Sequence, residues 1–234
     1  HHDYQKGYKV FGMLNGWRGG CCADYINVSV NELYIMPNNI NFIEAAGIPL
    51  AAQTALQALR DIGKIKTGQS VCINGASGGV GTLAIQIAKE LGAVVTTISS
   101  SQNISLCQSL GADNSLSYQQ MNILDSKDNF DVFFDVFGNY SFNKTKHLLT
   151  AKGVYITTVP KAEILIEQLR NIFRKKKARI VVVKSNAKDI HWLSETINNQ
   201  KITPIIDKTY DFEEIKVAQQ YIESKRAKGK VILE

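Results

Sequence analysis

The sequence predicts an α/β fold: a doubly wound parallel sheet flanked by two pieces of a smaller, β-rich lobe. Three observations carry this. From Val71 onward, short apolar runs alternate with stretches of helical periodicity. The runs are β-branched or aromatic and nearly continuous, as strands buried on both faces must be. One of them runs into a glycine cluster that opens an amphipathic helix at once.

Residues 7–36 carry strand-like pieces, "YKVFGM" and "ADYINVS", broken by the glycines of "NGWRGG". Residues 41–62 read as helical, with Pro49 near a helix start, where its missing N–H does no harm. "SVCIN" (70–74) is the first strand of the sheet. Val80, Leu83, Ala84, Ile87, Ala88 and Leu91 then form one helical stripe, a helix over 80–91. Further strands follow at 93–98, 130–137, 153–159 and 179–184, with helices at 162–173 and 190–197. After "KITPIID" (201–207), Asp211 and Glu214 form a capping-box variant before "YIESK", and the chain closes on the strand "KVILE". This rhythm divides the chain into 1–40, a β-rich piece; 41–202, the doubly wound domain; and 203–234, a return to the first piece.

The chain has 234 residues and a formal net charge of +6. No apolar run approaches the roughly 18 residues that span a bilayer, and no signal-peptide pattern opens the chain. The four cysteines form no disulfide framework, which fits a reducing cytoplasm. His1 and His2 carry no assigned function. The densest cationic run is "RKKKAR" (174–179); no nucleic-acid motif accompanies it, so it reads as a solvated face.

Residues 76–81, "ASGGVG", match G-x-G-x-x-G with alanine in the first place. A strand before and a helix after are the surroundings this motif requires. Gly78 would admit a pyrophosphate against the backbone, with Gly79 and Val80 beside it. Gly81 would let the helix pack closely on the sheet. The free N–H groups and positive dipole end of the helix would hold phosphates. The other reading is a tight turn with no ligand. About 20 residues on, an NAD site carries an acid for the ribose 2′-hydroxyl. Here Ser99, Ser100 and Ser101 stand in its place, and hydroxyls can donate to a 2′-phosphate that a carboxylate would repel. That favours NADPH; the serines can equally end the strand and cap the next helix.

The segments "KVFGM", "AAGIPLAAQTALQAL", "VCINGASGGVGTLAIQIAKELGA", "SLGADNSLSY", "FDVFFDVFGN", "KGVYITTVP", "KKKARIVVV" and "RAKGKVIL" together resemble the medium-chain dehydrogenase/reductase superfamily, in its zinc-free quinone oxidoreductase and enone (2-alkenal) reductase branch. They run through essentially the whole chain in family order. The resemblance implies a Rossmann domain with part of a GroES-like catalytic lobe. It implies Thr54 beside the nicotinamide, Tyr118 in the adenosine-phosphate pocket and Arg226 reaching the 2′-phosphate; ordinary alternatives are a helix-surface hydroxyl, a packing aromatic and a solvated charge. Ala76, Gly138 and Pro160 fall at the carboxyl edge of the sheet, where ligands bind in open α/β folds. Asp135, within an apolar strand, reads as structural and hydrogen-bonded rather than as an acid. Trp17 is either a cleft residue or a loop aromatic.

The family pattern begins with most of a β-lobe that this chain lacks, with Tyr8 where relatives usually have aspartate. The resemblance further implies no zinc, since neither a catalytic Cys with a His-Glu pair nor a four-cysteine cluster is present. It implies a homodimer through "RIVVVK" (179–184), a small-molecule quinone or enone as hydride acceptor, and no nucleic-acid or membrane partner. No catalytic side chain is assigned, because in this branch the nicotinamide carries the hydride. The rival reading is an NADP-binding protein without turnover.

Overall fold

The computed structural model describes residues 4–16 and 20–234. Trp17 lies outside the described residues, as do His1 and His2. In chain order the elements are β1 (Val10–Gly12), β2 (Leu33–Ile35), α1 (Phe42–Ala46), α2 (Pro49–Leu56) running into a π-helical stretch (Gln57–Ile62), β3 (Ser70–Asn74), α3 (Gly81–Glu90), β4 (Val94–Ser99), α4 (Ile104–Ser109), β5 (Asn114–Ser117), β6 (Phe130–Asp135), α5 (Phe142–Thr145), β7 (Leu149–Thr157), α6 (Ala162–Arg170), β8 (Lys177–Ile180), α7 (Ala187–Asn198), β9 (Ile206–Tyr210), α8 (Ile215–Glu223) and β10 (Lys230–Leu233).

Six strands form one sheet in the order β5-β4-β3-β6-β7-β8, all parallel. The continuous apolar runs have the expected cause. Val71 and Ile73 of β3 enter one core with α2, α3 and α7, while Cys72 between them enters the core on the other face with Phe133, Tyr155 and Phe142. Strands after β3 are added first on one side (β4, β5) and then on the other (β6, β7, β8), so the crevice for a ligand opens between β3 and β6, beyond Asn74 and Asp135.

Several elements differ from the sequence expectation. "ADYINVS" forms no strand; β1 pairs instead with β2, antiparallel. The expected helix over 41–62 is broken at Gly47, where Asn41 and Glu44 cap the first piece reciprocally and Pro49 starts the second. The edge strand expected at 179–184 lies at Lys177–Ile180. Val181 makes one last bond to Thr157 and turns into the core, and Val182 is left exposed. The expected helix over 162–173 ends at Arg170 and tightens to a single 3₁₀ turn at Asn171–Phe173. α4 and β5 complete the far side of the sheet. β9 and β10 form a separate parallel pair, and Glu214 accepts the N–H of Asp211 ahead of α8.

Candidate cofactor site

The glycine loop sits where β3 gives way to α3. Gly75 turns the chain at φ +78, and the buried Ala76 anchors the loop by donating its N–H to Ile98 O at 3.2 Å. The three glycines of the loop, Gly78, Gly79 and Gly81, then do different jobs. A Cβ on Gly81 would stand 2.2 Å from Gly75 O and 2.6 Å from Ala76 Cα, so this glycine is required for the helix to close on its own loop. A Cβ on Gly79 would stand 2.6 Å from Lys230 Cδ. A Cβ on Gly78 would meet only Gly75 O at 3.5 Å, an ordinary contact, and Gly78 has no positive φ. The protein's own packing therefore gives no reason for glycine at 78; the space in front of it is open.

Thr82 and Ala84 donate to Gly78 O and Val80 O, the first helical bonds of α3. The N–H groups of Gly79, Val80 and Gly81 have no acceptor among the described residues. Three donors at the N-terminus of a 10-residue helix make an anion site by their direction and by the helix dipole. The far wall comes from the C-terminal segment: Gly229 donates to Ser77 O at 2.9 Å and pairs with Gly78 in a parallel bridge.

The three serines separate on inspection. Ser99 is 3 % exposed and its hydroxyl donates to Ser100 O. The Ser101 hydroxyl is bonded to that of Ser117. Only Ser100, half-buried at the end of β4, has a hydroxyl without a partner among the described residues. Tyr118 lies beside it, its N–H on Ser99 O, and the residue is 58 % exposed. Arg226 is exposed and makes no ion pair among the described residues; it sits in the turn between α8 and Gly229.

Thr54 is buried in α2 and its hydroxyl donates back to Leu50 O at 2.7 Å, so it offers a ligand a lone pair and no proton. At the crevice, Asp135 is fully buried. One oxygen accepts from Asn74 Nδ2 (2.7 Å) and the Gly138 N–H (2.8 Å); the other accepts from the Tyr140 N–H and the Tyr155 hydroxyl, both at 2.9 Å. This is the structural role expected of it. Burial, and then the Asp135 charge, push the Tyr155 phenol far above its ordinary pKa, so it stays a donor. Gly138, at φ +75, packs where a Cβ would stand 2.4 Å from Val159 Cγ2, which locks the β6–α5 turn to the β7–α6 turn. Pro160 is exposed at the end of that second turn.

Lys230 escaped sequence reasoning. A lysine opening a strand reads as a solvent-facing charge, but the gaps at Gly47 and Gly79, both far away in sequence, show that its stem is internal. Arg174, Lys176 and Lys177 of the cationic run at 174–179 are spent locally, while Lys175 and Arg179 face solvent as expected. Arg174 pairs with the buried Glu167, as does Arg170; the Lys176 ammonium donates to Lys146 O at 2.8 Å, and that of Lys177 to Asn171 O. Among the described residues no group of three His, Cys, Asp or Glu side chains could hold a metal ion, and no helix is long and apolar enough to cross a membrane.

Comparison with known proteins places this geometry in a lineage. A family profile described as "Zinc-binding dehydrogenase" matches residues 110–233. The 2-methylene-furan-3-one reductase of Solanum lycopersicum is 32 % identical over 100 % of this chain and 55 % of its own length. The chloroplastic NADPH-dependent alkenal/one oxidoreductase of Arabidopsis thaliana is 32 % identical over 97 % of this chain and 54 % of its own. The chain thus spans about half the length of these curated relatives. The solved quinone oxidoreductase of Coxiella burnetii superposes with a TM-score of 0.89 at 27 % identity, covering 99 % of this chain and 73 % of that one. With a family profile matched over more than half of its length, the chain belongs to the zinc-binding dehydrogenase family of medium-chain dehydrogenases/reductases.

Proposed function

We propose that the protein is an NADPH-dependent oxidoreductase that transfers hydride to a quinone or an α,β-unsaturated carbonyl without zinc. The observation that carries this is the open space before Gly78, faced by the unpartnered N–H groups of Gly79, Val80 and Gly81. The residues fit a dinucleotide. The loop N–H groups would hold the pyrophosphate, Ser100 and Arg226 the 2′-phosphate, and Tyr118 the adenosine. Thr54, Gly138 and Pro160 would border the nicotinamide end. The family's description names zinc, but the described side chains do not fit a metal, and no step runs through one.

Bound NADPH supplies the hydride. The chain's own contribution is to fix the acceptor's electron-poor carbon against it, and most of the rate comes from that proximity and orientation. The proton that completes the reduction goes to the neighbouring carbon or oxygen from water or a hydroxyl. The names of the tomato and Arabidopsis relatives, both reductases of conjugated carbonyl compounds, support this acceptor class. The test is a thermal melt with NADPH, followed by loss of reduced-nicotinamide absorbance when an enone or a quinone is added. No stabilisation by NADPH sinks the cofactor reading. Stabilisation without oxidation leaves the rival, a cofactor-binding protein without turnover.

A homodimer belongs to the same proposal. β8 is an edge strand, and beside it α6 and its last turn turn outward Leu169, Ile172 and Phe173, which are 75 %, 80 % and 90 % exposed. An unpaired edge flanked by apolar side chains is an aggregation hazard unless a partner covers it. Sedimentation at micromolar concentration is expected to give a dimer; monomer alone refutes it.

A further inference from the structure

We propose that Cys21 and Cys22 form a vicinal dithiol that captures soft trivalent arsenicals, one arsenic atom bridging the two sulfurs. The two thiols are free, exposed and adjacent in the chain. Gly20, at φ +112, leads into them, and the chain bends at residues 22–24. Residues 20–27 are all exposed, lie in no helix or strand, and make no hydrogen bond among the described residues. Nothing therefore holds the two side chains apart. Cys72 and Cys107 are buried, and burial pushes both of their thiols above the ordinary range, so neither competes as a thiolate.

The spacing selects the ligand. Consecutive Cα atoms lie about 3.8 Å apart, less than the roughly 4.4–6.8 Å that an unstrained disulfide spans. A direct S–S bond would close a small, strained ring, and one atom inserted between the sulfurs relieves it. That atom must be satisfied by two sulfur donors. Structural zinc takes four ligands, and among the described residues no group of three His, Cys, Asp or Glu side chains could hold a metal. Trivalent arsenic bearing one organic group needs only two sulfurs, because its third bond is to carbon, and thiolates are the soft ligands that suit it. The step balances without an oxidant. An R–As=O group and two thiols give R–As(SR′)₂ and one water. Two As–S bonds form, the As–O double bond breaks, and both thiol protons leave on that oxygen. Arsenic stays trivalent and neither sulfur is oxidised. No nicotinamide takes part, so this site stands apart from the cofactor reading above.

The experiment titrates the parent, Cys21→Ser, Cys22→Ser and the double variant with phenylarsine oxide. Adducts are read by intact mass, and accessible thiols are counted before and after with a chromogenic disulfide. All four proteins should melt alike, since both side chains are exposed. The parent should take up a single arsenical and lose two accessible thiols together. Its adduct should survive an excess of a monothiol and be removed by a small dithiol. Each single variant should bind on the order of a hundredfold more weakly, because the second As–S bond of the parent forms within one molecule. The double variant should take up none. No adduct on the parent overturns the assignment, as does a single variant that binds as tightly as the parent. An adduct on the double variant also overturns it, by placing the arsenic at Cys72 or Cys107. A parent that closes a Cys21–Cys22 disulfide in air, in preference to the adduct, overturns the ring-strain argument and the assignment with it.

Discussion

Gly78→Val separates a ligand cradle from a tight turn. The perturbation is local: the new Cβ meets only Gly75 O at 3.5 Å, and the backbone at 78 is not in the left-handed region. The fold should lose at most about 1 kcal/mol, a shift of about 2–4 °C in melting temperature for a chain of this size. The ligand loses far more. A branched side chain in front of the free N–H groups of Gly79, Val80 and Gly81 denies a phosphate two or three charge-assisted hydrogen bonds at about 1.5–3 kcal/mol each. That is at least about a hundredfold in affinity. The assay is a melt of both proteins with NADPH at about 100 times the parent's Kd, where mass action should stabilise the parent by about 2.7 kcal/mol, roughly 5–10 °C. The variant should move by less than a degree or two. If NADPH stabilises both equally, the glycines only make a turn and the oxidoreductase reading falls.

Gly81→Ala should do the reverse, since its Cβ would sit 2.2 Å from Gly75 O with backbone on every side; a loss of about 3 kcal/mol or more, seen as a lower melting temperature without ligand, is expected, and a parent-like melt refutes the packing argument. Ser100→Asp places a carboxylate at the one serine of the three with a spare hydroxyl. Titration should show NADPH weakened about tenfold or more and NADH little changed; equal effects on both would remove Ser100 from the 2′-phosphate. Asp135→Asn turns an acceptor of four donors into a group that itself donates, and about 2–4 kcal/mol of stability should go with it. An unchanged melt with lost turnover would instead make Asp135 an acid of the reaction.

The sheet and its glycine loop were legible because both are local patterns. A strand buried on two faces writes a continuous apolar run, and a phosphate loop writes glycines at fixed offsets between strand and helix. What escaped depends on contacts between distant segments. "RIVVVK" reads as one strand, yet the sheet keeps only its first part, because Val181 finds a place in the core and Val182 does not. Ser99, Ser100 and Ser101 are the same residue in a row, and only burial, a bond to the neighbouring carbonyl and a hydroxyl from β5 distinguish them. "RKKKAR" reads as a solvated face, yet its Arg174 pairs with the buried Glu167 beside Arg170. Lys230 is the extreme case: the room for its stem is made by Gly47 and Gly79, both in other parts of the chain.

The bridge between Gly78 and Gly229 has a consequence for how the molecule breathes. The candidate site is a seam between two segments far apart in the chain, stitched by a single short run of backbone bonds. Such seams form late in folding and open early in fluctuations, because closing a long loop costs entropy before its contacts return anything. A dinucleotide lying in the seam would touch both sides and act as a removable staple. Without it, the turn at 224–228 would be the place where exchange and proteolytic cutting begin. With it, the β9–β10 pair and the six-stranded sheet would be held as one body, so the ligand would tune the looseness of a lobe it barely touches.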